Sequence, residues 1–282
     1  MTEKLADLFS IAGRTIIVTG GYGRIGRALS VALLEAGANV AVIEPGADEA
    51  VTERLFGAAS PRLAVFKADV TDRASLVEAL AAIVERFGVP HGLVNNAALD
   101  SPPDASADET GPFELYPESS WDRVMAVNVK GVFLACQVFG AAMAREGRGA
   151  IVNVGSIYGA VSPDQNLYEH RRARGEIFYK PVAYSASKSA LYNLTRYIAV
   201  YWGPKNVRAN IVTFAGVFDH QDREFLERYE RKIPLRRGAD FDHLKGMADP
   251  SDYAGPIAYL LSDAARYMTG ADLRVDGGFL AL

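Results

Sequence analysis

The stretch Thr15-Ile16-Ile17-Val18-Thr19-Gly20-Gly21-Tyr22-Gly23-Arg24-Ile25-Gly26 decides the architecture of this 282-residue chain. Its first five residues form a β-branched run of the kind that fills a buried strand. Glycines follow, and Arg24–Ala36 then has helical spacing that closes at Gly37. Strand, glycine turn and helix together bring backbone N–H groups and the positive end of a helix against a pyrophosphate. A glycine turn alone is a common loop. Here Glu44 ends the next apolar run, where a carboxylate can hold the ribose hydroxyls of a dinucleotide. Gly20, Tyr22, Gly23, Arg24, Ile25, Gly26 and Glu44 are therefore the candidate nucleotide contacts. Glu44 would repel a 2′-phosphate, which points to NAD. NADP stays open, because Arg24 is either a partner for that phosphate or a solvated surface charge.

Outward from this stretch, short apolar runs alternate with helical patterns. The runs are Asn39–Ile43, Leu63–Phe66, Leu93–Asn95, Ala150–Val154, Val207–Thr213 and Leu273–Val275. The helical segments are Asp72–Phe87, Ser119–Arg145, Tyr184–Tyr201, Arg223–Lys232 and Ser251–Leu261. Strands at helix-length spacing predict an α/β doubly wound Rossmann fold with a central parallel sheet of about seven strands. Nothing marks a second domain, so residues 1–282 read as one dinucleotide-binding unit with an insertion at about 160–181. Asp100–Pro117 and Pro163–Pro181 read as loops, the second carrying His170, Arg171, Arg172, Arg174 and Lys180.

Apolar residues make up 49% and charged residues 23%, and the formal charge is −4, so nothing suggests neutralisation of a nucleic-acid backbone. Cys136 is the one cysteine, which excludes an intrachain disulfide and fits a cytoplasmic setting. The first residues carry Glu3 and Asp7 and no long apolar run, so no signal peptide is expected. Ala126–Met143 is apolar, but Asn128, Lys130 and Gln137 within it argue for a buried or subunit-facing helix over a membrane span.

Tyr184 and Lys188 lie four apart on an expected helix and share a face. A phenol with pKa near 10 is a poor base, and a nearby ammonium favours its anion. Such a pair can take a proton from an alcohol while hydride leaves the same carbon. Ser156, just beyond the fifth strand, can hydrogen-bond the reacting oxygen. The pair alone is a common surface pattern; its place in this strand order gives it weight.

With these residues in view, the chain resembles the short-chain dehydrogenase/reductase family over nearly its full length. The resemblance rests on Thr19–Gly26, Asp69-Val70, Asn95-Asn96-Ala97, Asn128, Ser156, Tyr184-Ser-Ala-Ser-Lys188, Val207-Arg208-Ala209-Asn210, Thr269-Gly270 and Val275-Asp276-Gly277-Gly278. It implies Tyr184 as acid/base, with Lys188 holding the nicotinamide ribose and tuning Tyr184. Ser156 would polarise the reacting oxygen, and Asn128 would support a water relay to Lys188. It also implies Asp69 and Val70 beside the adenine, Asn96 and Ala97 along the cofactor, and the backbone near Val217 at the carboxamide. Homodimers or homotetramers are expected, on the long apolar helices.

Four features depart from the family pattern. Arg24 stands where chains of this length usually have glycine, and Phe214-Ala215 replace the usual Pro-Gly after the sixth strand. Ser156 and Tyr184 are 28 positions apart, so the intervening insertion must loop out. Tyr168 and Tyr179 are extra tyrosines near the site. The segments Ser156–Asp164, Lys180–Tyr184 and Val217–Asp219 resemble a branch that accompanies bacterial flagellin glycosylation and nonulosonic-acid synthesis, and this implies a sugar-type substrate.

Tyr158, Arg171 and Arg172 are the candidate substrate contacts. The two arginines suit a phosphorylated or nucleotide-linked sugar, and the alternative is a solvated loop neutralised by Glu169 and Glu176. The expected reaction interconverts a secondary alcohol and a ketone on a small carbohydrate, with no metal. A 3-oxoacyl-thioester reductase and a non-catalytic dinucleotide-binding protein are the competing readings.

Overall fold

The computed structural model describes residues 4–100 and 107–282. Seven strands form its sheet: β1 (Thr15–Thr19), β2 (Asn39–Glu44), β3 (Leu63–Lys67), β4 (Gly92–Asn95), β5 (Gly149–Val154), β6 (Val207–Phe214) and β7 (Asp272–Val275). They pair in parallel in the order β3-β2-β1-β4-β5-β6-β7. All five residues of β1 are buried. That explains why its sequence is an unbroken β-branched run rather than an alternating one: in a parallel sheet both faces are covered.

Helices α1 (Arg24–Glu35), α2 (Glu49–Phe56), α3 (Arg73–Phe87), α4 (Glu118–Glu146), α5 (Val182–Trp202), α6 (Arg223–Glu230) and α7 (Ala254–Leu261) surround the sheet. On one face, Leu76 and Ile83 of α3, Phe139 of α4 and Leu191 of α5 meet Ile17, Ile43 and Ile151. On the other, Leu29 and Leu33 of α1 and Ile257 and Leu260 of α7 meet Val18, Val42 and Val152. Chain order reverses between β1 and β4, so the loops leaving those strands part and open a crevice at their carboxyl ends.

Of the helical features that escaped the sequence reading, two lie outside the insertion and shape the layers. The first is α2, which begins at Asp48, whose carboxylate accepts from the Val51 amide at 3.0 Å, and ends at Gly57 with φ of 79°. The second is the interior of α4, which passes through π-type turns at Ala126–Gly131 and Cys136–Gly140. By length and apolarity α4 could cross a bilayer, yet 56% of its apolar window is buried, with Val132, Leu134 and Phe139 in the sheet-facing core. The outer faces of α4 and α5 leave Phe133, Tyr197, Val200 and Tyr201 exposed.

The segment read as a charged loop is folded. It contains a 3₁₀ turn (Gln165–Tyr168) and a short helix (Glu169–Ala173). Its scattered apolar residues supply the reason: Leu167 joins Phe225, Leu226, Tyr229, Ile233 and Met247 in a separate cluster with α6, and Tyr168 packs against it. The insertion thus loops out over its own small core, and Ser156 and Tyr184 come together at its base.

That meeting depends on Gly159. The short helix Ile157–Ala160 presses against the backbone of α5, and a Cβ on Gly159 would lie 2.8 Å from the Lys188 carbonyl carbon. Ser189 Oγ seals the contact by donating to the Gly159 carbonyl at 2.8 Å. Gly159→Ala should therefore push Ser156 away from Tyr184. We expect a loss of about 1–3 kcal/mol, read as a fall in Tm, together with a drop in kcat larger than that of Gly255→Ala, whose glycine lies in α7 with nothing within 4 Å. Equal behaviour of the two variants would contradict this packing role.

Candidate active site

A cleft of about 1180 Å³ runs along the carboxyl edge of the sheet from the glycine turn to the insertion. At its first end, close packing requires glycine. A Cβ on Gly26 would lie 2.2 Å from the Gly20 carbonyl oxygen, and one on Gly20 would lie 2.9 Å from Ala97 Cα. Gly23 caps α1 without any side-chain hydrogen bond, and the first turn of α1 holds no acid. Gly23, Arg24, Ile25 and Gly26 line the cleft at this uncapped, positive helix end. Asn96 braces the turn by donating from its side-chain amide to the carbonyls of Thr19 and Gly20, at 3.0 and 3.1 Å. A turn that a Cβ would fill, leading into a helix start with free N–H groups, fits a dinucleotide pyrophosphate.

Glu44, Asp69, Val70, Asn96, Ala97 and Val217 also line the cleft. Glu44 accepts from the Tyr22 amide at 3.3 Å, which holds its carboxylate at the rim. Tyr22 itself is not a lining residue. Its hydroxyl lies 2.6 Å from Thr52 Oγ1, so the side chain docks the turn onto α2. Arg24 is paired with Asp219 from the loop after β6, so its charge has a partner within the chain. Although Phe214-Ala215 replace Pro-Gly, the backbone beyond β6 is fixed: Val217 bridges to Ala248, and Gly216 N donates to Tyr229 Oη at 2.7 Å.

Ser156, Tyr158, Tyr184 and Lys188 converge at the middle of the cleft. Ser156 caps the helix Ile157–Ala160, and its hydroxyl is hydrogen-bonded to Tyr184. Lys188 is buried, and its ammonium donates to the Val154 carbonyl at 2.7 Å, 5.8 Å from the centroid of the Tyr184 ring. Burial pushes the Tyr184 phenol above its usual value, the Asp100 carboxylate adds to this, and the bond to Ser156 opposes it. Burial likewise pushes Lys188 down to about 8. Desolvation disfavours both charged forms, so the phenol is raised where the Tyr-Lys spacing predicted a lowering by the ammonium.

Asn128 does not line the cleft. Its side chain accepts from the Leu99 amide at 2.7 Å and donates to the Leu99 carbonyl and to Ser187 Oγ, tying the loop after β4 to α4 and α5. It sits in the first π-type turn of α4. The pairing with Leu99 makes its side chain a positioning group.

The two candidate arginines separate. Arg171 reaches the cleft but is paired with Glu176 at 2.7 Å and lies over the Phe178 ring. Arg172 points away from the cleft and corrects the expectation of a substrate contact. Its guanidinium binds Glu169 and donates to the carbonyls of Gln165 and Phe178 at 2.8 and 3.0 Å, so it holds the insertion together. Tyr168 lines the cleft and is hydrogen-bonded to Tyr158, whereas Tyr179 is outside it, beneath Arg172.

Two lining residues, Asp100 and Asp222, were not singled out from sequence, and each partners a basic residue of the insertion. His170 is buried, with Nε2 3.4 Å from Asp222 and Nδ1 without a partner. Asp100 and Lys180 form an ion pair across the substrate end. Each pairing joins a residue of the insertion to one distant in sequence, so spacing carries no signal for it.

The depressed Lys188 has a thermodynamic consequence. An amine whose pKa is about 8 folded and near 10.4 unfolded binds fewer protons in the native state between those values. Cofactor-free protein should therefore gain stability as pH rises through that window, by about 2–3 kcal/mol at most. Urea titrations from pH 7 to 10.5 should show that gain in the wild type relative to Lys188→Met; parallel profiles would contradict it.

A family model described as enoyl-(acyl carrier protein) reductase matches residues 21–280. The chain is 34% identical to 2-(S)-hydroxypropyl-CoM dehydrogenase 3 of Xanthobacter autotrophicus, over 96% of this chain and 98% of that protein. It is 32% identical to an L-tagatose-forming galactitol 2-dehydrogenase of Cereibacter sphaeroides, over 96% and 97%. A crystal structure of a short-chain dehydrogenase from Leptospira borgpetersenii with bound NAD+ superposes with a TM-score of 0.79 at 28% identity, over 99% of this chain and 96% of that one. By its strand order, its glycine turn and these matches, the chain belongs to the short-chain dehydrogenase/reductase family of NAD(P)-dependent oxidoreductases.

Proposed function

We infer that this enzyme oxidises a secondary alcohol of a neutral polyol or sugar to the ketone, reversibly and with NAD. The observation that carries this reading is the convergence of Ser156, Tyr184 and Lys188 in one cleft with the uncapped start of α1. Bound nicotinamide supplies the hydride acceptor or donor. Ser156 and Tyr184 hold the reacting oxygen between their hydroxyls, and Tyr184 moves the proton. Burial keeps the Tyr184 phenol protonated at neutral pH, the form that donates to a ketone oxygen. In the oxidative direction the phenol must first lose that proton, and the Lys188 ammonium favours the loss. Asn128 acts through the Leu99 loop and Ser187.

Charge pairing favours a neutral polyol over a phosphorylated or nucleotide-linked sugar. The basic side chains that the insertion brings to the cleft face carboxylates: Arg171 faces Glu176, Lys180 faces Asp100, and the His170 ring lies beside Asp222. Donors and acceptors in alternation suit hydroxyls, whereas a phosphate would meet Asp100 and Asp222. The galactitol-oxidising relative supports the same class. Glu44 at the rim and the Arg24–Asp219 pair favour NAD over NADP. Assembly as a homodimer or homotetramer would cover Tyr197, Val200 and Tyr201.

A panel of polyols, sugars and sugar phosphates, followed by nicotinamide absorbance with NAD and with NADP, tests this reading. Turnover of a neutral polyol or sugar with NAD as the better cofactor is expected. Tyr184→Phe should lose at least about 100-fold in kcat while still binding NAD. Faster turnover of sugar phosphates or of acetoacetyl-CoA would replace the substrate class, and a fully active Tyr184→Phe would discard the mechanism. A monomer in sedimentation would discard the assembly.

A further inference from the structure

Two ammonium groups stand near the Tyr184 ring. Lys188 is one, and the reaction already uses it. Lys180 is the other: its Nζ lies 5.4 Å from the ring centroid, its side chain is only 14% exposed, and it is paired with Asp100. Both Lys180 and Asp100 line the cleft.

The placement of Lys180 is built on three sides. Its amide donates to Gln165 Oε1 at 2.9 Å, and Gln165 Nε2 returns a bond to its carbonyl at 3.4 Å. The preceding residue, Tyr179, donates its amide to the Thr110 carbonyl at 2.7 Å. Pro181 follows as the rigid residue before α5. The Lys180 backbone is thus anchored to the insertion, to the segment after β4 and to the start of the catalytic helix.

We propose that Lys180 and Asp100 are the specificity pair of this enzyme, reading the hydroxyl on the carbon next to the one that is oxidised. An ammonium offers three donors, and its carboxylate partner accepts only; side by side they can donate to a hydroxyl oxygen and accept its proton. The pair stands beside the ring whose hydroxyl would hold the reacting oxygen, so the hydroxyl it can meet is a neighbouring one. A site built to satisfy a hydroxyl from both sides discriminates strongly against the analogue that lacks it, because its own polar groups then lose a partner. Asp100 also disfavours a carboxylate or phosphate at that position. This inference rests on the alcohol-dehydrogenase reading of the same cleft.

The test compares oxidation of butane-2,3-diol with that of butan-2-ol by the wild type, Lys180→Met and Asp100→Asn, with NAD binding measured alongside. The wild type should prefer the diol by at least about 10-fold in kcat/KM. In both variants that ratio should collapse toward one through a rise in KM for the diol, with NAD affinity kept. A preserved ratio in both variants overturns the specificity pair and leaves the dehydrogenase reading standing. So does a parallel loss on both alcohols, which marks a general positioning role. A wild type that oxidises neither alcohol and no polyol overturns both.

Discussion

Lys188 reaches across the cleft floor with its ammonium bound to the carbonyl of Val154, the last residue of β5, and almost no solvent reaches it. A buried charge is retained only where a partner holds it. This bond ties helix α5 to the strand end that carries Ser156 two residues later. Because the bond is internal, the insertion between Ser156 and Tyr184 can grow or change without moving either group. Gly159 permits the same closure from the backbone side, where a Cβ would collide with Lys188. The proposed reactive centre is therefore set by packing against the sheet, apart from the insertion.

Desolvation, which costs stability at Lys188, also governs the protonation of Tyr184. Both groups shift toward their neutral forms, the lysine down and the phenol up. The carboxylate of Asp100 acts on both, raising each value. It comes from the loop after β4. The electrostatics of the centre thus depend on a residue outside the Tyr-Lys motif.

Much of this was legible in the chain itself. The run Thr15–Thr19 followed by glycines, the alternation of short apolar runs with helical segments and the Tyr184–Lys188 spacing are local patterns, and local patterns survive in sequence. The seven-stranded parallel sheet follows from them. What was not legible depends on long-range partners. Arg171 and Arg172 are adjacent and chemically alike, yet one faces the cleft and the other is consumed by Glu169 and two backbone carbonyls. Tyr22 sits inside the glycine turn but turns its ring toward Phe56 of α2, a helix whose pattern is too short and polar to read. Asn128 belongs to the family pattern, but only its bonds to Leu99 identify it as a brace.

The substrate end follows a different physical rule from the nucleotide end. At the nucleotide end the recognition elements are backbone: missing Cβ atoms, an uncapped helix start, and an amide from Tyr22 that orients Glu44. These tolerate little change, because each is fixed by close approach. At the substrate end the groups are side chains in opposite-charge pairs, seated on the cluster formed by Leu167, Phe225, Leu226 and Tyr229. That cluster is separate from the two layers that bury the sheet. Substitutions in the pairs can therefore alter which hydroxyls are met while the sheet, the glycine turn and the Lys188–Val154 bond stay as they are. Such a division lets one framework keep a single proton-and-hydride chemistry while its outer shell is respecified.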